Sequence, residues 1–193
     1  MEEKKSKYGL LKWLGFAIAG GIYYYKKRSA KKELKVVDKV DLEKYSGKWF
    51  EIAAIPEKHE KGCSNTTAEY SLTEEGYVKV INSCNKDIID ETENHVEGKA
   101  YPVKNSNNAK LKVEFQWPFK GDYWIMELDK DYKYAMVGHP DRKYLWILSR
   151  TNNLSTDIYN SLLKKAEQQG YDISKVKKTE HYKSKKTVLA GKK

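Results

Sequence analysis

"NTTAEYSLTEEGYVKVINSC", Asn65–Cys84, settles the class of fold. Its two halves change character at every second residue. In the second, Val78 and Val80 share one face, and Lys79 points to the other. Thr73–Gly76 ("TEEG") separates the halves, with Gly76 free to take a positive φ. Two alternating runs around such a turn make a hairpin. Outward from it the pattern repeats. "KWFEIAAI" (Lys48–Ile55) precedes it. "HVEGKAYPV" (His95–Val103), "AKLKVEF" (Ala109–Phe115), "YWIMEL" (Tyr123–Leu128), "YAMVG" (Tyr134–Gly138) and "KYLWILS" (Lys143–Ser149) follow. Eight strands, joined mostly by short polar turns and with no helix expected from the first of them until residue 155, predict an all-β, up-and-down antiparallel series. Open sheet edges invite pairing with other chains, so the series is expected to close. Eight strands close into a barrel that holds one small ligand.

The last strand carries apolar residues on both faces: Tyr144, Trp146 and Leu148 on one, Leu145 and Ile147 on the other. Its outer face needs a cover, and "STDIYNSLLKKAEQQG" (Ser155–Gly170) supplies one. Ser155 is the expected N-cap, Ile158, Leu162 and Ala166 form a stripe, and Gly170 is the stop. The barrel is thus predicted to carry one C-terminal α-helix on its outside.

The formal charge of +10 would fit a nucleic-acid or membrane partner. Its distribution decides between them. Residues 1–40 carry +7 and residues 181–193 carry +5, whereas 41–180 carry −2. A slightly acidic domain argues against nucleic acid. Basic ends fit an anionic lipid surface, where each Lys or Arg contributes about 1 kcal/mol, or else solvated tails.

Tyr8–Tyr25, "YGLLKWLGFAIAGGIYYY", is the one long apolar stretch, expected to form an N-terminal apolar helix. Eighteen helical residues reach ~27 Å, near the ~30 Å of a hydrocarbon core. Three readings stand: a membrane anchor, a cleaved signal with Ala17–Ala19 as its small-residue site, or an interfacial helix. The expected domains are 1–37, anchor or signal plus basic linker; 38–180, the barrel; and 181–193, a basic tail.

Gly47-Lys48-Trp49 resembles the Gly-x-Trp motif of the lipocalins, and "VGHPDRKYLWILSR" (Val137–Arg150) resembles their later blocks. The run from Tyr45 to Thr151 is similar to bacterial lipocalins of the apolipoprotein D–like group. The resemblance covers about residues 38–180. It implies that Trp49 plugs the closed end of the barrel, that Arg150 lies across its ring, and that Gly47 leaves room for the backbone. It also turns Ala68 and Tyr70 inward. Parity then places Thr66, Val80, Asn82, Val96, Gly98, Ala100, Leu111, Val113, Phe115, Tyr123, Ile125, Ala135, Val137, Tyr144, Trp146 and Leu148 inside. Such a lining suits an acyl chain with a polar head. Lys58, His59 and Lys61 fall in the first long loop, near the mouth, where they meet an anionic headgroup or simply water.

Cys63 and Cys84 are the only cysteines. The turn at Gly76 brings them level, and related lipocalins carry a similar pair. A disulfide, and with it an oxidising compartment, is expected; the alternative is two free thiols. No clustered histidine joins them for zinc. Nucleophile elbow, phosphate loop and HExxH are absent from the sequence. His139, beside Asp141, and Glu51, inward near Trp49, are the candidates for any acid–base chemistry.

The resemblance implies a non-enzymatic lipid-binding protein. It would carry or store fatty acids or lysophospholipids for cell-envelope maintenance, with no cofactor and no metal. Its partners would be a small hydrophobic ligand and a membrane met through the N-terminal segment and basic tails, with a homodimer possible. The competing readings are a lipocalin-class enzyme acting on a lipid or isoprenoid, and a filled barrel serving as a structural or interaction protein.

Overall fold

A computed structural model describes residues 33–56, 62–85 and 93–182. The apolar stretch 8–25, the loop residues Lys58, His59 and Lys61, and the basic tail from 183 lie outside the described residues. The elements run α1 (Leu42–Tyr45), β1 (Gly47–Ala54), β2 (Ser64–Leu72), β3 (Val78–Asn85), β4 (Glu93–Pro102), β5 (Lys110–Gln116), β6 (Phe119–Leu128), β7 (Tyr134–Gly138), β8 (Leu145–Ser149), α2 (Thr156–Gln168), a 3-10 turn (Ile173–Lys175) and β9 (Lys177–Lys178). β1 to β8 pair antiparallel in chain order, and β1 meets both β2 and β8. The sheet is a closed eight-stranded barrel.

The 73–76 turn folds as the sequence dictates. Gly76 has φ +82°, and Leu72 faces Val78 across the hairpin. α2 likewise starts where Ser155 caps it: the Ser155 hydroxyl accepts a hydrogen bond from the Ile158 amide. Gly170, at φ +87°, lies just past its end.

Alternation sorts the apolar residues into two cores. Inside the barrel lie Trp49, Tyr70, Val78, Val80, Ala100, Leu111, Ile125, Ala135, Val137 and Leu148. Between the wall and α2 lie Met126, Met136, Leu145, Ile147, Leu162 and Ala166. Each fully buried Leu or Ile contributes about 1.5–3 kcal/mol. The second core is why both faces of β8 are apolar.

Two features differ from expectation. A short helix that the sequence did not announce precedes the first strand: α1, a single turn capped by the Asp41 carboxylate, which accepts from the Glu43 and Lys44 amides. The end of the basic linker, with the residues that follow it, is also packed. Val40 is buried in the barrel core and Leu34 in the outer one. The Val37 and Val40 amides donate to the carbonyls of Ile125 and Asn107. This segment therefore runs across the end of the barrel opposite the β5–β6 turn.

The pairing register also shifts at the top of β2. A bulge between Ser64 and Thr67, with Asn65 at φ +54°, leaves Thr66 half-buried and puts Thr67 in the buried set.

Candidate functional site

The closed end is built from the first turn upward. α1 ends at Tyr45, and the chain passes through Gly47 at φ +90° into β1. The Trp49 indole is fully buried and donates its Nε1 hydrogen to the Tyr45 carbonyl at 2.8 Å. Arg150 follows β8 at the same end, its guanidinium carbon 3.8 Å from the indole centroid. Its nitrogens donate to the carbonyls of Lys44, Tyr45, Lys48 and Tyr132. A Cβ on residue 47 would meet Arg150 Nη1 at 3.4 Å, in a backbone conformation that side chains rarely adopt.

Above this plug three tyrosines meet. The Tyr123 hydroxyl lies 2.8 Å from those of both Tyr45 and Tyr70. Burial raises the pKa of all three, that of Tyr70 to about 12. The rings continue upward, Tyr123 stacked on Trp146 and Trp146 on Tyr144. The sign of the pH effect follows from the raised folded-state values. Stability from these groups is whole below pH ~10, where unfolded tyrosine begins to ionise, and is lost as pH climbs toward about 12. In an absorbance titration of the phenolates, the three are expected to ionise only together with unfolding. Reversible ionisation of every tyrosine near pH 10 in the folded protein would contradict this.

The remaining lining is apolar. Ala68, Val80, Ile125, Ala135 and Val137 are buried, and Val113, Tyr123 and Trp146 are partly buried against them. Asn82 sits among these on the inner wall, and its Oδ1 is sealed from solvent with no hydrogen-bond partner. Two expected cavity residues are not enclosed. Phe115 is 43% and Val96 47% exposed. The Phe115 ring occupies the space over Gly98, where a Cβ would meet it at 2.6 Å. Both residues keep their inward parity but lie at the rim, where strand direction no longer guarantees burial. Beyond them, Trp117 and Phe119 are 81% and 73% exposed around the β5–β6 turn. Sequence reasoning did not single out these two rings.

Cys63 and Cys84 are joined in a disulfide, their Cα atoms 5.5 Å apart, beside the Ser64–Asn85 pair at the mouth. Glu51 is buried, but Thr179 donates a hydrogen bond to its carboxylate, and His181 Nε2 lies 2.7 Å from its backbone oxygen. β1 and β2 pair only from Gly47 to Phe50. Higher up, β9 takes the free edge at Ala53 and Ala54, and the Asn65 amide donates to the Glu180 carbonyl. The C-terminal segment thus fills the seam, and Glu51 belongs to that closure. Sequence reasoning missed this because "KVKKTEH" has no apolar alternation. His139 Nδ1 contacts Asp141 Oδ1 at 2.7 Å within the β7–β8 turn. Among the described residues no hydroxyl nucleophile is bonded to that imidazole, and no three metal-ligating side chains cluster.

Comparison with known proteins agrees with this architecture. The sequence pattern of the lipocalin-like domain matches residues 40–181. Temperature-induced lipocalin-1 of Arabidopsis thaliana is 40% identical over 158 residues, 77% of this chain and 83% of that one. Outer membrane lipoprotein Blc of Escherichia coli K12 is 42% identical over 143 residues, 72% of this chain and 78% of that one. Among solved structures, insecticyanin from the tobacco hornworm Manduca sexta superposes with a TM-score of 0.63 at 23% identity, covering 80% and 87% of the two chains. With its closed barrel, its flanking helix and the Trp49–Arg150 plug, the chain belongs to the lipocalin family.

Proposed function

We propose that this protein binds a single-chain lipid, a fatty acid or lysophospholipid, inside its barrel and carries or stores it at the cell envelope. One observation supports this most: an apolar inner wall that rises to a rim where Val96, Phe115, Trp117 and Phe119 remain exposed. Apolar groups left facing water beside an opening mark a place where lipid is met or exchanged. Each buried methylene contributes about 0.8 kcal/mol, so a chain of a dozen carbons drives micromolar or tighter binding after ordering costs. The chemistry is capture by mass action with no covalent step. A relative named an outer membrane lipoprotein and the disulfide both favour an envelope site in an oxidising compartment. The N-terminal apolar stretch and basic ends would hold the protein near the membrane.

The test is uptake of labelled fatty acid and lysophospholipid by delipidated protein, from solution and from vesicles. Saturable one-to-one binding from solution is expected. Trp117→Ser with Phe119→Ser is expected to keep that affinity and to slow uptake from vesicles several-fold. Absence of uptake of either lipid by folded protein would end the proposal.

A further inference from the structure

The upper half of the wall between β1 and β2 is not closed by those two strands. The edge of β1 that faces β2 pairs with it only from Gly47 to Phe50; at Ala53 and Ala54 that edge pairs with Lys178 and Lys177. The Thr179 amide donates to the Ile52 carbonyl, and the Asn65 amide at the top of β2 donates to the Glu180 carbonyl. The Tyr182 amide donates to Asn65 Oδ1. His181 adds its Nε2, 2.7 Å from the Glu51 backbone oxygen, and an edge-on contact with the Phe50 ring. Residues 177–182 therefore stand between the two strands as an extra stave. Neighbouring strands lie about 4.8 Å apart, so a stave between them holds β1 and β2 about 9–10 Å apart. Behind it is the barrel interior. Glu51 opposes the inner-core residue Leu148, and the Thr179 hydroxyl donates to the Glu51 carboxylate.

Hydrogen bonds hold this stave, and apolar burial does not. Val176, just before it, packs on the outer core. From there Lys177, Lys178, Glu180 and Tyr182 are exposed, Thr179 and His181 are half-buried, and none of these residues enters either core. Segments with few buried apolar contacts and exposed backbone hydrogen bonds open at far lower cost than the whole domain. The flanking strands are fixed independently. β1 pairs with β8 from Phe50 to Ala54, and the top of β2 is tied to β3 by the Ser64–Asn85 pair and the Cys63–Cys84 disulfide. Release of the stave thus leaves a slot one strand wide above the Phe50–Thr67 pair, at the mouth end of the wall.

Resting on the lipid-binding reading above, we infer that residues 177–182 are a detachable stave. It swings out from Val176 and back, and its opening is the step by which a single-chain lipid enters and leaves the barrel.

Such a gate sets rates and not affinity, because an open wall lowers the barrier equally in both directions. A lost binding contact speeds release alone. Two variants loosen the stave without altering the inner wall. Thr179→Pro removes the amide and hydroxyl donors to β1. Asn65→Gly removes the acceptor of the Tyr182 amide and suits the φ of +54° at that position. Stopped-flow mixing with a fluorescent fatty-acid analogue measures its association and dissociation rate constants. Both constants are expected to rise several-fold in both variants with their ratio unchanged, and to keep their wild-type values in Thr179→Ser. In wild type, the Asn65, Thr179 and Tyr182 amides are expected to exchange hydrogen at least an order of magnitude faster than those of Val80 and Ile81, midway along β3. Unchanged rates in folded variants, a rise in dissociation alone, or stave amides that exchange no faster than those of β3 overturn the inference and leave lipid binding standing. Unfolding of both variants overturns it too, since the stave would then hold the barrel together. Failure of folded wild type to bind the analogue overturns both readings.

Discussion

Trp49→Ala is expected to lower the stability of the barrel by about 3–5 kcal/mol, the usual cost of deleting a buried aromatic ring. The indole is fully buried, in contact with Tyr45 at a centroid distance of 4.9 Å and under the Arg150 guanidinium. Its removal leaves a cavity at the floor, frees the Tyr45 carbonyl from an indole donor, and uncovers the cation from its ring. With typical stabilities of about 5–15 kcal/mol, a loss of this size takes a large share of the total. In a domain of this length it corresponds to a fall in Tm of about 2–4 °C per kcal/mol. Arg150→Ala is expected to cost less. It forfeits four hydrogen bonds to carbonyls, but the guanidinium is only part-buried and water can replace it there. Urea unfolding of the two variants decides the order. Equal midpoints for Trp49→Ala and wild type would mean that the plug carries no stability.

Where strands alternate cleanly, sequence alone placed the side chains well. The hairpin at Gly76, the apolar double face of β8 and the helix capped by Ser155 follow from period, turn chemistry and capping. These are local rules, and the barrel obeys them locally. The failures fall where a rule needs information from distant chain. At the top of β2 a bulge between Ser64 and Thr67 interrupts the register where the Asn65 amide meets the C-terminal segment. Phe115 and Val96 kept their parity but lie at the rim, because parity gives direction and not depth. Leu34 and Val40 sit in a lysine-rich stretch, yet each is buried against elements far along the chain. The seam filled by residues 177–182 had no signal at all, since its strand is two lysines recruited by a free edge. Within the candidate site, Trp49, Arg150 and most of the inner wall were thus legible. The unsatisfied state of Asn82 was not, because it depends on what every neighbouring strand fails to offer.

Removing the disulfide with Cys63→Ser and Cys84→Ser is expected to cost about 3 kcal/mol. The bridge closes a loop of 21 residues, and constraint of the unfolded chain at that length is worth about this much. The Cα separation of 5.5 Å lies at the common spacing for such links, and the bridged residues flank a pair already in register, Ser64 with Asn85. The native barrel should therefore survive the substitution with its pairing intact. What changes is the denatured ensemble, which becomes more expanded and exposes more surface. The slope of stability against urea should accordingly rise while the midpoint falls. That combination separates an unfolded-state effect from damage to the barrel, which would lower the midpoint without raising the slope. The same variant bears on where the protein resides. If the bridge contributes as expected, protein isolated from cells should show the mass deficit of two hydrogens, since a compartment that kept the thiols reduced would forgo that stability. Isolation of the fully reduced form, with a midpoint equal to that of the double serine variant, would remove the bridge as an argument for an oxidising envelope site.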